Sequence, residues 1–152
     1  MAITTVCEFY KTRDGLAPEM GTVVAAEAIK RGDPITPTAA NLGTADRIDD
    51  AAEKVLGVAA GDAASGADCL YYVANYNNLF IIPCVDVAGD CYDDSDDKYT
   101  TCDFVDFTTG AMGIDCTTDV SHQVQLLGLA PGETDDTHGN KVIAFFALRS
   151  VG

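Results

Sequence analysis

The hydrophobic pattern of this chain is a succession of short apolar or alternating runs separated by glycine, proline and asparagine. Thr22–Ala28, Val55–Ala60 and Lys141–Leu148 are typical of these runs. Runs of this length suit β-strands and are too short for ordinary amphipathic helices. Roughly eight or nine strands at this spacing predict an all-β fold. We expect a small β-barrel or β-sandwich of short strands, with at most one short helix and an N-terminal arm.

Three segments carry local predictions. Lys30–Pro34 predicts a turn, because its glycine permits an unusual backbone conformation and its proline starts an extended segment. The asparagine-rich residues 75–78 predict a hairpin turn between strands at 69–74 and 79–87. Residues 46–54 predict the one short helix, since Asp46 is a suitable N-cap and apolar residues follow near one face.

The chain of 152 residues is the size of one domain and shows no repeat or linker. We therefore predict a single β-rich domain over 1–152. Within it, residues 1–20 form an N-terminal arm or strand. Residues 86–120 form an acidic, cysteine-containing region that resembles an insertion.

Negative charge is concentrated in the second half of the chain. The whole chain has a formal charge of −15. Residues 1–54 contain nine acidic and six basic residues, a net charge of −3, whereas residues 86–136 contain thirteen acidic residues and one lysine, a net charge of −12. Such a chain repels nucleic acid and anionic membranes, so we expect neither as a partner.

The N-terminus and the longest apolar runs bear on localisation. Met1–Val6 has no basic start followed by a long apolar run, so we expect no secretory signal. No stretch approaches the roughly 18–20 apolar residues that cross a bilayer. The sequence predicts synthesis in the cytoplasm.

The six cysteines show none of the paired spacings of zinc sites. Four of them, from Cys84 to Cys116, flank the acidic segment. Disulfides there would close a long loop, and buried thiols packing as small apolar groups are an equally compatible state. The sequence leaves both open.

No catalytic constellation is present in the sequence. The two histidines, His122 and His138, lie outside any nucleophile motif, and glycine motifs for phosphate binding are missing. We expect a protein that is not an enzyme, with no catalytic, cofactor-binding or metal-binding residues and no cofactor.

Two short motifs are compatible with binding. The acidic loop Asp90–Asp97 contains the hard oxygen ligands that Ca²⁺ prefers, but Lys98 and the lack of a central glycine break the EF-hand pattern. Arg31-Gly32-Asp33 matches the tripeptide of integrin ligands, and the turn at Lys30–Pro34 explains its glycine and aspartate without adhesion. A solvated loop and an ordinary turn are the simpler interpretations.

Thr22–Pro34 together with Val55–Ala60 resembles the decoration, or cement, proteins on the heads of tailed bacteriophages. In that family a Gly-Asp turn precedes a strand, and a Leu-Gly-Val-Ala strand follows about twenty residues later. Phe107–Asp115 and Leu126–Leu129 resemble the C-terminal halves of larger phage head proteins. The resemblance covers residues 20–150.

The resemblance implies a homotrimer on the outer capsid surface of the virion, made in the host cytoplasm. Such a protein stabilises the capsid by bridging subunits of the major capsid protein. The weakly charged N-terminal half would face the capsid, and an arm formed by Met1–Tyr10 would add a strand to a capsid edge.

Two other classes of protein stay open on sequence grounds. One is an exported calcium- or carbohydrate-binding β domain, such as an adhesin-like module, which the acidic loop and the cysteines favour. The other is an enzyme on a small β-barrel that uses acidic residues, for which no motif speaks.

Overall fold

A computed structural model describes residues 7–38, 43–48, 53–84, 92–106, 112–117, 119, 121–137 and 139–147. This part of the chain is all-β and contains no helix. The strands are β1 (Glu8–Thr12), β2 (Met20–Ala25), β3 (Pro34–Pro37), β4 (Thr44–Arg47), β5 (Gly57–Ala59), β6 (Asp68–Val73), β7 (Asn78–Pro83), β8 (Thr101–Asp106), β9 (Met112–Asp115), β10 (Val124–Leu129) and β11 (Lys141–Phe146). The prediction of an all-β fold with a small barrel is confirmed.

Five strands close into a barrel in the order β2-β4-β3-β5-β6. Strands β2 and β4 are parallel, and the other neighbours are antiparallel. Because β6 pairs back to β2, every strand of the barrel has two neighbours and leaves no open edge.

The barrel interior is filled mainly by small side chains and one tyrosine. Apolar residues such as Val23, Ile35 and Ala45 point inward and are buried. Tyr71 also lies inside, beside Gly21 and Gly57. A β-carbon on Gly21 would come within 2.6 Å of the Tyr71 ring, and one on Gly57 within 2.8 Å. The Tyr71 ring fits inside the barrel because it lies against two glycines, which have no side chain.

The remaining six strands form an antiparallel sheet in the order β1-β7-β11-β10-β8-β9. The sheet curls, since Ile114 in β9 forms a parallel bridge to Cys84, just after β7. Strand β1 extends the sheet beyond β7 and occupies its outer edge.

Part of the outer surface of the barrel packs into the core of the curled sheet, which is separate from the barrel interior. Val58 and Tyr72 are paired on neighbouring barrel strands and point away from the barrel interior into the core of the sheet. There Tyr72 stacks on Phe9 of β1, with ring centroids 4.6 Å apart, and meets Phe80 of β7 edge-on. The two halves are thus held together by aromatic packing at the seam.

The predicted hairpin at residues 75–78 is wrong. Strand β6 pairs with β2 and β5, whereas β7 pairs with β1 and β11, so the two strands lie in different sheets. The Asn75 side chain accepts the N–H groups of Asn77 and Asn78, and the Asn78 amide donates to the carbonyls of Glu19 and Val73. The asparagines do stabilise a turn, and that turn carries the chain from the barrel to the sheet.

The predicted helix at residues 46–54 is wrong at its start. Asp46 and Arg47 belong to β4 and pair with Thr36 and Ile35 of β3. A strand forms here because β4 pairs with both β2 and β3 and so completes the barrel. Residues 49–52 lie outside the described part of the chain.

The predicted turn at Lys30–Pro34 is confirmed. Gly32 has a φ of 88°, and the Asp33 carboxylate accepts the N–H of Lys30 at 2.9 Å. At the N-terminus, Glu8–Thr12 forms the edge strand β1, while Met1–Val6 of the predicted arm lies outside the described residues.

Candidate functional site

An apolar patch lies on the outside of the barrel, on strands β2 and β6. Residues alternate along β2, so that Met20, Thr22 and Val24 face outward while Val23 and Ala25 face inward. Residue 22 pairs with Leu70 of β6, and residue 24 pairs with Asp68, which places all of these on one surface. We call Met20, Thr22, Val24, Asp68 and Leu70 the outer barrel face.

This face exposes large apolar side chains to solvent. Leu70 is 50% exposed, Met20 38% and Val24 36%. The polar members Thr22 and Asp68 are exposed beside them. An apolar centre with a polar rim is the ordinary composition of a protein–protein interface.

Two ion pairs lie on the barrel. The Lys30 ammonium lies 3.9 Å from Asp62, and the Arg47 guanidinium lies 3.4 Å from the buried Asp33. The outer barrel face carries one charged side chain, Asp68, and the strongly acidic residues 86–136 lie outside the barrel strands. The absence of strong charge favours contact with another protein surface over contact with a polyelectrolyte.

The acidic side of the fold consists of two loops that are tied together. Asn140, which is buried, accepts the N–H of Tyr92 at 3.1 Å and donates to the carbonyls of Tyr92 and Thr134. Asp135 accepts the N–H of Asp94 at 2.7 Å. Loop 92–100 and loop 130–140 thus form a single acidic surface, which we call the double loop.

Most carboxylates of the double loop accept hydrogen bonds from donors within the double loop. Asp93 accepts the backbone and hydroxyl donors of Ser95, Asp97 accepts the N–H of Asp93, and Asp94 accepts the Tyr92 hydroxyl at 2.9 Å. Lys98 lies 3.8 Å from the second oxygen of Asp94. In the part of the chain that the structure describes, no group of three or more His, Cys, Asp or Glu side chains could hold a metal ion.

Three groups of the double loop have shifted pKa values. Burial, with smaller contributions from the neighbouring Cys116 and Asp93, raises the pKa of Asp97 to about 6 against a lowering backbone hydrogen bond. Hydrogen bonds from Ser95 lower the pKa of Asp93. Burial and the hydrogen bond to Asp94 raise the pKa of the Tyr92 hydroxyl. The Tyr92 hydroxyl stays protonated and continues to donate to Asp94 at physiological pH.

His122, Asp119 and Thr101 meet at the surface but do not have the geometry of a catalytic triad. Nδ1 of His122 lies 2.6 Å from Asp119 and 3.0 Å from the Thr101 hydroxyl, which itself donates to Asp119. In a triad the two ring nitrogens face the nucleophile and the orienting carboxylate separately. Here one nitrogen faces both. His138 lies outside the described residues.

The Arg31-Gly32-Asp33 tripeptide is not presented to a receptor. Asp33 is only 6% exposed, and its carboxylate is engaged by Lys30 and Arg47. An integrin ligand would need this carboxylate in solvent. The turn interpretation of the tripeptide therefore accounts for it fully.

A cavity of about 490 Å³ opens at the seam between the barrel and β1. The cavity is bounded by the rings of the Phe9–Tyr72 stack and by the Cys7 thiol, whose pKa is raised by burial and by the nearby Asp33. A protonated, buried thiol is a poor nucleophile. The complete lining is Cys7, Glu8, Phe9, Arg31, Val58, Ala59 and Tyr72.

Five cysteines are present as reduced thiols in the structure, and Cys91 lies outside the described residues. Cys7 lines the cavity between the barrel and β1, and Cys69 lies in the barrel interior. Cys84, Cys102 and Cys116 belong to the core of the curled sheet.

Sequence reasoning missed the outer barrel face. The signal available was the spacing of Met20 and Val24, which places two apolar residues on the same side of a strand. Their inward neighbours Val23 and Ala25 are apolar too, so alternation alone does not say which side is exposed.

No protein-family model matches this chain, and no curated protein matches it significantly. Among the described residues, no helix is long and apolar enough to cross a membrane.

Proposed function

We propose that this protein is a structural component of a phage virion, which binds the outer surface of the capsid and stabilises it by bridging major capsid protein subunits. The observation that carries the proposal is the outer barrel face, an apolar surface on the weakly charged half of the fold. The resemblance of residues 20–150 to phage decoration proteins supports the same assignment.

The capsid surface is the proposed occupant of the outer barrel face. Burying Leu70, Met20 and Val24 removes apolar surface from water, worth roughly 25 cal/mol per Å² before the costs of association. Thr22 and Asp68 can hydrogen-bond at the rim, as polar rims of interfaces do. The contact is small, so a single copy would bind the capsid weakly.

A homotrimer overcomes the weakness of one small contact. Three copies related by closed cyclic symmetry present three outer barrel faces to the capsid at once. Binding of one copy raises the effective concentration of the other two, so the apparent affinity exceeds that of one contact by orders of magnitude. Because the double loop is strongly acidic, we expect it to point to solvent on a decorated capsid.

The first measurement is the native mass of the purified protein under non-reducing conditions. A mass of about three times the 15.9 kDa chain supports the trimer. Co-sedimentation with undecorated heads of the same phage then tests capsid binding directly.

Two variants test whether binding to heads depends on the outer barrel face. Leu70→Asp places a charge at the centre of the outer barrel face and should abolish binding to heads. Tyr99→Asp is the matched control, since Tyr99 is 65% exposed, compared with 50% for Leu70, but lies in the double loop. Equal binding of wild type and Leu70→Asp would contradict the proposed face, and no binding of wild type would contradict the function.

The second candidate function is an exported calcium- or carbohydrate-binding β domain. The double loop favours it, because it gathers acidic residues from two loops, and the Asp135 carboxylate of one loop accepts the N–H of Asp94 in the other. EDTA added to purified protein should then lower its melting temperature. An unchanged melting temperature, together with no calcium-dependent signal on a glycan array, would rule against this candidate.

A further inference from the structure

Three cysteines lie together where the curled sheet closes on itself. The sulfur atoms of Cys84 and Cys116 are 3.9 Å apart, and Cys102 hydrogen-bonds to Cys116. Cys84 follows β7 and Cys116 follows β9, the two strands that meet through the bridge between Cys84 and Ile114. The three thiols therefore lie where β9 curls back toward the end of β7.

We propose that Cys84 and Cys116 are a redox modification site that forms an intramolecular disulfide. These sulfurs are in contact at 3.9 Å and have to approach by about 1.9 Å to reach the bonded distance of about 2.05 Å. The inference is independent of the proposed function, because it rests on the sulfur geometry alone.

The chemistry requires a two-electron oxidant, which we take to be a small-molecule disulfide such as oxidised glutathione. The Cys116 thiolate attacks one sulfur of the oxidant, and a mixed disulfide forms while one glutathione thiolate leaves. The Cys84 thiolate then attacks the Cys116 sulfur and releases the second glutathione. Two protein thiols are oxidised to one disulfide, the oxidant is reduced to two thiols, and the two protein protons end on them.

Exposure decides the order of these steps. Cys116 is partly exposed, whereas Cys84 and Cys102 are fully buried. Only Cys116 can meet a dissolved oxidant without opening of the fold. Cys84 then acts as the resolving thiol, since its sulfur already touches that of Cys116.

Cys102 is the competing partner within the cluster. Its hydrogen bond to Cys116 and its burial raise the pKa of the Cys102 thiol. Attack on a mixed disulfide requires the thiolate, and this shift disfavours the thiolate at Cys102. Because the thiolate is the attacking species, oxidation should accelerate as the pH rises above neutral.

The disulfide would covalently link the end of β7 to the end of β9. Residues 84 and 116 are 32 positions apart, and the loop between them carries much of the acidic segment. Constraining a loop of this length in the unfolded chain predicts a melting temperature that is higher by on the order of 10 °C in the oxidised protein.

The test begins with protein purified under reducing conditions and then exposed to oxidised glutathione. Intact mass should fall by about 2 Da, the two hydrogens lost in forming one disulfide. Peptide mapping without reductant should recover the peptide of Cys84 linked to that of Cys116. The melting temperature should rise and return to its starting value when reductant is added.

Variants assign the change to these residues. Cys116→Ser should show neither the mass loss nor the thermal shift, while Cys69→Ala, in the barrel interior, and Cys91→Ser should keep both. Alkylation of the wild-type protein under native conditions gives a second measurement, because modification of the partly exposed Cys116 should block oxidation without any substitution. A bridge mapped between Cys102 and Cys116, a persistent glutathione adduct, or undiminished oxidation of Cys116→Ser would each overturn the assignment.

Discussion

The backbone carbonyl of Tyr72 faces Gly57 so closely that a β-carbon on residue 57 would overlap its oxygen. The two residues lie on β5 and β6, where the strands of the barrel pair. Backbone atoms cannot rotate away as a side chain can. Gly57 is therefore a requirement of barrel closure.

We expect Gly57→Ala to destabilise the protein by about 3 kcal/mol or more, because the clash forces β5 away from β6. Chemical denaturation gives the free energy of unfolding. Gly61→Ala is the matched control, since a β-carbon there meets nothing within 4 Å. Similar free energies for the two variants would show that the barrel can relax at β5.

Asn140 holds the double loop together, and its loss should be costly. Asn140→Ala leaves the buried N–H of Tyr92 without its side-chain acceptor, so we expect a loss of about 2–4 kcal/mol in thermal or chemical unfolding. Asn140→Asp should be at least as harmful, because a carboxylate oxygen would face the Tyr92 and Thr134 carbonyls. Asn77→Ala, which removes only exposed hydrogen bonds to Asp14, is the control and should cost little.

Asp97 should make stability depend on pH between about 4 and 6. Its folded-state pKa of about 6 lies above the ordinary value of 3.8, so the folded protein binds this proton more tightly than the unfolded chain. Its stabilising contribution is complete below pH 3.8 and is lost as the pH rises through 6.

Asp97→Asn should therefore gain stability relative to wild type as the pH rises from 4 to 7. The gain should be roughly 1 kcal/mol once the exposed fraction of the group is allowed for. Melting temperatures measured across this range provide the check, with the exposed Asp96→Asn as control. A constant difference between Asp97→Asn and wild type at all pH values would contradict the prediction.

Phe9 links β1 to the barrel, so its removal should weaken the packing between the barrel and the curled sheet. The Phe9 ring stacks on Tyr72 with an angle of 8° between planes and meets Phe80 edge-on. Because Phe9 is only half-buried, we expect Phe9→Ala to cost about 2 kcal/mol in the free energy of unfolding. Lys11→Ala, an exposed position on the same strand, should change it by no more than about 0.5 kcal/mol.

Local features of the fold could be predicted because their causes are local. The turn at Lys30–Pro34 follows from a glycine, an aspartate that accepts a nearby N–H, and a proline. The short strands follow from apolar runs that stop at turn residues. The all-β fold class could be predicted as well, because short runs bounded by turn residues favour strands over helices.

Strand pairing depends on contacts that are distant in the sequence, and here sequence reasoning failed. The asparagines at 75–78 indicate a turn correctly, but they do not say whether the strands on either side meet each other. In the structure β6 completes the barrel and β7 lies inside the second sheet. Asp46 illustrates the same point, because its position in the barrel outweighs its preference for a helix start.

Neither the outer barrel face nor the thiol cluster could be predicted from local sequence, and the physical reason is the same for both. Met20 and Val23 are both apolar, and only closure of the barrel turns one outward and the other inward. Cys84 and Cys116 are 32 positions apart, and only the curl of the sheet brings their sulfurs together. The amino-acid order thus sets which segments extend and where they turn, while long-range packing sets which side chains meet and which remain exposed.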